Sequence, residues 1–209
     1  RLAHRGAVAD VRLDELRALP RLREVLPPAG GEVVQRAHLV AVGEQPVFSV
    51  EREVSPAELR LETHRLVDET LGALTGIDGP FASRLVLVRS EGGTRRAYTI
   101  DADGAGLAAI GAADELVVTV TLDAQARPWA AASAQQGRYR LRAGPQLERR
   151  VEVAPPGSIY GIAFARDGSR TALTVAEHDG VVLYAGGPDF AELARVSDAT
   201  LAMHPTFAP

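Results

Sequence analysis

Apolar positions early in the chain follow two different periods. Phe48-Ser49-Val50-Glu51-Arg52-Glu53-Val54 alternates apolar and polar residues for most of its length, as a strand with one buried face requires. Together with the valine-rich run before it, this segment predicts two strands, 32–42 and 46–54, joined as a hairpin across Gly43-Glu44-Gln45. The period then lengthens. Leu59, Thr63, Leu66, Val67, Thr70, Leu71 and Leu74 recur at spacings of three and four, which predicts a helix of about 20 residues with one apolar stripe. Ser55-Pro56-Ala57-Glu58 offers a capping hydroxyl, a proline for the first turn and a glutamate three residues after the cap, and Gly76 supplies the stop. The stripe is expected to lie on the hairpin, giving a small α+β layer. Ahead of it, residues 1–31 show only a short helical pattern at Leu13, Leu16, Leu19 and Leu22, interrupted by Pro20.

After Gly79-Pro80 the pattern changes again. From Arg84 onward it predicts only short strands bounded by Gly, Pro or Asp turns. These strands repeat weakly. Phe164-Ala165-Arg166-Asp167-Gly168 lies between two strand-like runs, and Thr206-Phe207-Ala208-Pro209 begins the same phrase 43 residues later. In the preceding unit Val120-Thr121-Leu122-Asp123-Ala124 takes the equivalent place, with Asp123-Ala124 read as the counterpart of Asp167-Gly168. Leu141-Arg142-Ala143-Gly144-Pro145 likewise matches Tyr184-Ala185-Gly186-Gly187-Pro188. A period of about 43 residues with four short strands per unit is the pattern of propeller blades. The expected fold class is therefore an α+β N-terminal layer followed by all-β propeller blades of WD40-like or PD40-type repeats. The expected domains are a partial α+β domain at 1–80 and a propeller portion of about two and a half blades at 81–209.

Composition narrows the chemistry. Among 209 residues, 46% are apolar and 24% charged, enough for one sizeable core or two small ones. Arginine carries every positive charge, since the sequence contains no lysine, and it also lacks cysteine and asparagine. A P-loop or Schiff-base lysine, a thiol nucleophile, a disulfide and a Cys-ligated zinc site are all excluded. The formal charge of −4 leaves no basic surplus for a phosphate backbone, so nucleic acid is not an expected partner. The apolar stretches fall far short of the roughly 18 residues of a membrane span. The first residue is Arg1 rather than Met, as expected of a processed or truncated chain.

The junction between the two regions carries a family resemblance. His64-Arg65-Leu66-Val67-Asp68-Glu69, then Ala73-Leu74-Thr75-Gly76, then Gly79-Pro80-Phe81-Ala82-Ser83-Arg84-Leu85-Val86-Leu87-Val88, resembles the TolB family of the periplasmic Tol-Pal system where its N-terminal domain runs into its first propeller strand. Ala97-Tyr98-Thr99-Ile100-Asp101-Ala102-Asp103-Gly104 is similar to the family phrase ending in Asp-Ala-Asp-Gly. Phe164-Ala165-Arg166-Asp167-Gly168 resembles its recurrent Trp-Ser-Pro-Asp-Gly, with three of the five residues changed. The likeness runs over roughly residues 32–209, and the chain reads as a fragment or a divergent member of a six-bladed family. The resemblance implies a non-catalytic periplasmic scaffold for protein–protein interaction. Its implied partners are the peptidoglycan-associated lipoprotein and inner-membrane Tol proteins, and its implied roles are protein transport, outer-membrane integrity and envelope constriction in cell division. An alternative is the propeller of a prolyl-oligopeptidase-like serine peptidase whose catalytic domain lies outside this chain.

Side-chain chemistry offers little beyond that, and no catalytic, cofactor or metal residue is nominated. Gly104-Ala105-Gly106-Leu107-Ala108-Ala109 matches a dinucleotide fingerprint, but Gly111 and the run Val117-Val118-Thr119-Val120-Thr121 leave no room for the helix it requires. Asp101-Ala102-Asp103-Gly104 opens like a calcium loop, yet Ala105 and Ala112 stand where further oxygen ligands belong. A turn held by aspartate side chains is the expected reading, with a looser cation site near Asp101 and Asp103 left open. His64 and Asp68 lie one helical turn apart, as a base and its orienter would, or as an ordinary helix-face pair. Ser158 in Gly157-Ser158-Ile159-Tyr160-Gly161 stands one place too early for a nucleophile elbow. Trp129 and Tyr160 read as packing residues of the repeat, and Arg149-Arg150 as charges that protect a strand edge.

Overall fold

The computed structural model describes residues 33–40, 46–134, 137–155, 157–198 and 200–208. The helical pattern expected around Leu13 to Leu22 and the hairpin loop at 43–45 lie outside the described residues. The chain divides into two compact units at Ser83/Arg84.

In the first unit β1 (Val33–Val40) pairs antiparallel with β2 (Pro46–Val54), with a register irregularity between Leu39 and Val40. Helix α1 follows over Leu59–Thr75, a turn later than the sequence pattern suggests. The Ser55 hydroxyl donates to the Glu58 carboxylate (2.6 Å) instead of capping, and the Glu58 amide closes a turn onto the Ser55 carbonyl (3.0 Å). Glu58 consequently becomes the cap residue, with no side-chain cap of its own. At the other end Gly76 adopts φ 77° and returns its N–H to Gly72, as the stop requires. Among the described side chains, polar groups join the helix to the hairpin, and Val54 and Leu66 are buried in the same unit. Gln35 donates to the Thr63 hydroxyl (2.6 Å), and Arg52 reaches Glu62 (3.3 Å) and Glu69 (2.6 Å). Leu66 is buried, whereas Val67, about 100° further round, and Leu74 are exposed.

The second unit is built from antiparallel sheets in chain order. Sheet 1 contains β3 (Arg84–Glu91), β4 (Thr94–Asp101) and β5 (Ala108–Ile110). Sheet 2 contains β6 (Glu115–Leu122), β7 (Pro128–Ala134), β8 (Arg140–Ala143) and β9 (Arg149–Val151). Sheet 3 contains β10 (Ser158–Phe164), β11 (Thr171–Glu177), β12 (Gly180–Gly186) and β13 (Ala194–Arg195). A one-turn 3-10 helix at Pro188–Phe190 precedes β13. Among the described strands of this unit each pairs with its neighbour in the chain, so each sheet is a simple meander, and Leu201 adds a parallel bridge to Val181 of β12.

Sheet 2 is covered on both faces. Val117, Ala130 and Ala132 pack with Ala97 and Ile110 of sheet 1, while Trp129, Ala131, Leu141 and Ala143 pack with Ile159, Ile162, Leu173 and Val175 of sheet 3. Strand β7 supplies both contacts, because successive side chains point to opposite faces. Its run Ala130-Ala131-Ala132-Ser133 is buried throughout. Small residues there let both neighbouring sheets approach, and Trp129 fills the remaining volume on one side.

The first two strands of sheets 2 and 3 are joined by the same kind of turn, in a register different from the one the sequence suggests. Ala126 donates its N–H to the Asp123 carbonyl and has φ 58°; Gly168 donates to the Ala165 carbonyl and has φ 73°. The counterpart of Gly168 is therefore Ala126, not Ala124, and Asp123 stands in the place of Ala165. A side-chain oxygen fixes the loop in both, Asp167 taking the Ser169 amide (2.9 Å) and Asp123 the Gln125 amide (2.9 Å). The carboxylate has moved two places, and identity matching alone follows the aspartate rather than the backbone.

Two stability outcomes follow from the double burial of β7. Ala131→Leu forces extra volume between sheets 2 and 3 and should cost about 1–3 kcal/mol in urea unfolding. Trp129→Ala should cost about 3–5 kcal/mol by the same measurement.

Candidate functional site

The densest polar arrangement in the second unit is centred on Asp123. Its carboxylate accepts four hydrogen bonds: Gln125 N–H (2.9 Å) and Arg127 N–H (2.9 Å) on Oδ1, and Arg127 Nε (2.7 Å) and Trp129 Nε1 (2.9 Å) on Oδ2. Burial opposes the charged form, but the donors outweigh it and hold the carboxyl below its ordinary value. The Trp129 indole in turn meets Phe164 and Phe190 with ring centroids 5.4 and 5.2 Å away, and Arg149 lies 5.5 Å over its face. With its four hydrogen bonds taken by donors of its own loop and of Trp129 on β7, Asp123 is suited to fix a turn and a tryptophan. It is not available as a base or a metal ligand.

A cleft opens elsewhere between sheets 2 and 3. Arg138, Ser158 and Tyr160 line two adjoining hollows of about 700 and 720 Å³. The first is completed by Leu116, Gly137 and Tyr139, and the second reaches Glu177, His178 and Tyr184. The Tyr139 and Tyr160 rings stand edge to face at 5.3 Å. Arg140 donates to the Gly157 carbonyl (3.3 Å), and the Tyr139 amide donates to the Ser158 hydroxyl (3.3 Å), which ties the cleft wall to the start of β10. Tyr184 donates to Glu177, and this bond raises the phenol above its ordinary value, with burial adding to the effect. The cleft presents tyrosine faces, an exposed arginine and hydroxyls, a set suited to a peptide or protein surface.

The residues singled out in the sequence are dispersed. Asp68 is buried and accepts the Phe81 and Ala82 amides (2.8 and 2.7 Å), so its carboxylate anchors the segment after α1 and does not orient His64. The loop with the dinucleotide-like glycines joins β4 to β5 with Gly104 at φ 87° and Gly106 at φ 68°, and strand follows it. Asp103 takes the Ala105 amide (3.0 Å), while Asp101 lies 3.6 Å from Arg84. Among the described residues no group of three His, Asp or Glu is placed to hold a metal ion, and no helix is long and apolar enough to cross a membrane. Trp129 is a core residue, as its strand position suggests. Tyr160 lines the cleft instead, because the register shifts between Ile159 and Gly161 and takes it out of the alternation. Arg149 and Arg150 lie on β9, which pairs only with β8 among the described residues; Arg150 binds Glu152 (2.6 Å) and Arg149 covers Trp129. Arg138 and Tyr139 carry no sequence motif, and only the apposition of two sheets brings them beside Tyr160.

The depressed Asp123 carboxyl has a defined acid signature. Its contribution is fully present above the ordinary carboxylate value of 3.8 and is lost as pH falls through the lower value of the folded protein. Asp123→Asn should lower stability at neutral pH by about 1–3 kcal/mol. Below pH about 4 the variant's stability should fall less steeply than that of the unchanged chain, as read from thermal unfolding across acid pH.

No family model matches the chain. The Tol-Pal system protein TolB of Anaeromyxobacter dehalogenans strain 2CP-1 is 29% identical over 201 residues, which is 95% of this chain and 45% of that protein. The protein of the same name from Nitrosospira multiformis is 34% identical over 80 residues, 38% of this chain and 18% of its own length. In fold, the crystal structure of TolB from Acinetobacter baumannii superposes with a TM-score of 0.66 over 87% of this chain and 46% of that one, at 18% identity. The chain thus spans about half the length of the curated relatives it matches. Sequence along nearly the whole chain and fold over most of it give one resemblance, to the TolB proteins of Tol-Pal systems.

Proposed function

We propose that this chain is the part of a TolB-like protein that comprises a small α+β N-terminal domain at 1–80 and a β-propeller portion at 81–209. It acts as a non-catalytic periplasmic scaffold of the Tol-Pal system, supporting outer-membrane integrity and constriction of the envelope during division. Its partners are the peptidoglycan-associated lipoprotein, held by the propeller portion, and inner-membrane Tol proteins, engaged through the N-terminal region. The observation that carries this reading is the similarity to TolB along 95% of the chain, joined to the fold likeness over 87% of it. The side-chain inventory supports it. Asp123 and Asp68, the two buried aspartates among the described residues, are both spent on backbone and side-chain donors of the fold. The cleft at Arg138, Tyr139 and Tyr160 instead offers the residue types that dominate protein interfaces.

Calorimetric titration of the chain with the lipoprotein of the same organism tests this directly. Saturable binding is expected, and Arg138→Glu or Tyr160→Ala should weaken it by about tenfold or more with the circular dichroism spectrum unchanged. Absence of binding through high micromolar concentrations would overturn the reading.

A further inference from the structure

The cleft between sheets 2 and 3 is built with its acceptors occupied and its donors unspent. Three hydrogen bonds stitch its wall together. The Ile159 amide donates to the Tyr139 carbonyl (3.1 Å), the Tyr139 amide to the Ser158 hydroxyl oxygen (3.3 Å) and the Arg140 guanidinium to the Gly157 carbonyl (3.3 Å). The Gly137 carbonyl accepts the Ser133 hydroxyl (2.5 Å). Glu177, the one carboxylate of the lining among the described residues, accepts from Tyr184 and lies 3.9 Å from Arg195. Each of these acceptors already faces a donor of the fold.

The donors of the same lining stand differently. Arg138 is exposed and has no acceptor among the described residues, whereas Arg140 is tied to Gly157 and Arg142 to Glu115. Ser158 gives a lone pair to the Tyr139 amide and keeps its hydroxyl proton. The Tyr160 hydroxyl has no partner among the described residues either. The register irregularity between Ile159 and Gly161 sets Tyr160 on this lining beside Ser158, while Ile159 between them is buried in the core. The Tyr139 ring, edge to face at 5.3 Å, holds that of Tyr160 in place.

A free guanidinium beside two hydroxyl protons, with no uncommitted carboxylate near them, matches a planar anionic acceptor. The tyrosine rings and Leu116 add apolar surface that a bare ion does not use. Exposure of Gly137, Arg138 and His178 leaves the site without the enclosing apolar walls of a small-molecule pocket. We propose that this cleft seats an acidic segment of a protein partner. One aspartate or glutamate carboxylate of that segment pairs with Arg138 and accepts from Ser158 and Tyr160, and the backbone around it lies on the Tyr139 and Tyr160 rings. The inference rests on the cleft being a protein-binding surface, as proposed above, and adds the chemical group it recognises. Because residues 137–140 are tied to 157–159, the donors are in position before a partner arrives, which lowers the cost of ordering them. Selectivity comes from mismatch as well as attraction. A side-chain amide in the carboxylate's place loses the charge and turns N–H groups toward other donors.

The test is an NMR titration of the full 209-residue chain with the capped peptide acetyl-Gly-Asp-Tyr-Glu-Gly-amide and with its neutral counterpart acetyl-Gly-Asn-Tyr-Gln-Gly-amide. The acidic peptide should give saturable shifts at the Arg138 side-chain N–H and at the amides of Tyr139, Ser158 and Tyr160. The neutral peptide and sodium acetate should each bind at least about tenfold more weakly. Arg138→Gln should abolish the preference for the acidic peptide, and Tyr160→Phe should weaken its binding about threefold or more, with circular dichroism unchanged in both. Arg166→Gln, beyond the other end of β10, should leave the titration unaltered. Absence of binding, equal binding of the two peptides, acetate binding as well as the peptide, or a preference that survives Arg138→Gln would each overturn the proposal. The lipoprotein titration separates the two readings. A lipoprotein that binds while the peptides are not distinguished removes this inference and leaves the Tol-Pal role; peptides that are distinguished without lipoprotein binding do the reverse.

Discussion

Burial of both faces of one sheet is the constraint on which the second unit depends. A strand with one wet face can alternate apolar and polar residues, whereas β7, covered on both faces, carries small or apolar side chains at successive steps. Its Trp-Ala-Ala-Ala-Ser run meets that demand with little volume, so two neighbouring sheets can close on it. The single large side chain also brings a polar group into the core, while the hydroxyl of buried Ser133 is satisfied by the Gly137 carbonyl. Trp129 carries an indole N–H that needs an acceptor when buried, and Asp123 supplies it from the turn just before the strand. The same carboxylate orders that turn through Gln125 and Arg127. Core, turn and sheet register are thus held by one group, whose charge is kept by the donors around it.

In the first unit, polar contacts stand beside the buried Val54 and Leu66 among the described residues. The hairpin and α1 meet through an amide, a threonine hydroxyl and an arginine shared between two glutamates. Ion pairs this exposed contribute about 1 kcal/mol or less each. Side-chain clips of this kind fix geometry more than they add stability. Asp68 performs a related task from the middle of the helix, where its carboxylate draws the Phe81 and Ala82 amides back onto α1.

Much of this architecture was legible before any coordinates. The hairpin, the helix with its glycine stop and the succession of short strands after Arg84 follow from hydrophobic period and turn residues, which are local properties. The start of α1 was misplaced because Ser55 had two ways to use its hydroxyl, and only the folded turn selects Glu58 over the helix amides. The Asp-Gly correspondence was misaligned for a similar reason. A turn needs one residue at positive φ and one side-chain oxygen for its amides, and Ala126 with Asp123 meets both needs at other offsets than Gly168 with Asp167. Identity is a poor guide to position where two arrangements satisfy the same backbone.

The sequence by itself determined the kinds of element, their order, the absence of lysine and cysteine chemistry and the resemblance to TolB. All of these reside in composition, period or short phrases. Tertiary structure alone decided which apolar positions are covered. Leu85 and Leu173 are both strand leucines, yet one is half exposed and the other wholly buried, because burial depends on what stacks in front of a strand. It also decided that Tyr160 and Arg138, 22 positions apart and without a motif, line one cleft while His64 and Asp68, one helical turn apart, do not act together. Proximity in space between residues distant in sequence is set by the packing of whole sheets, and a one-dimensional pattern does not carry it.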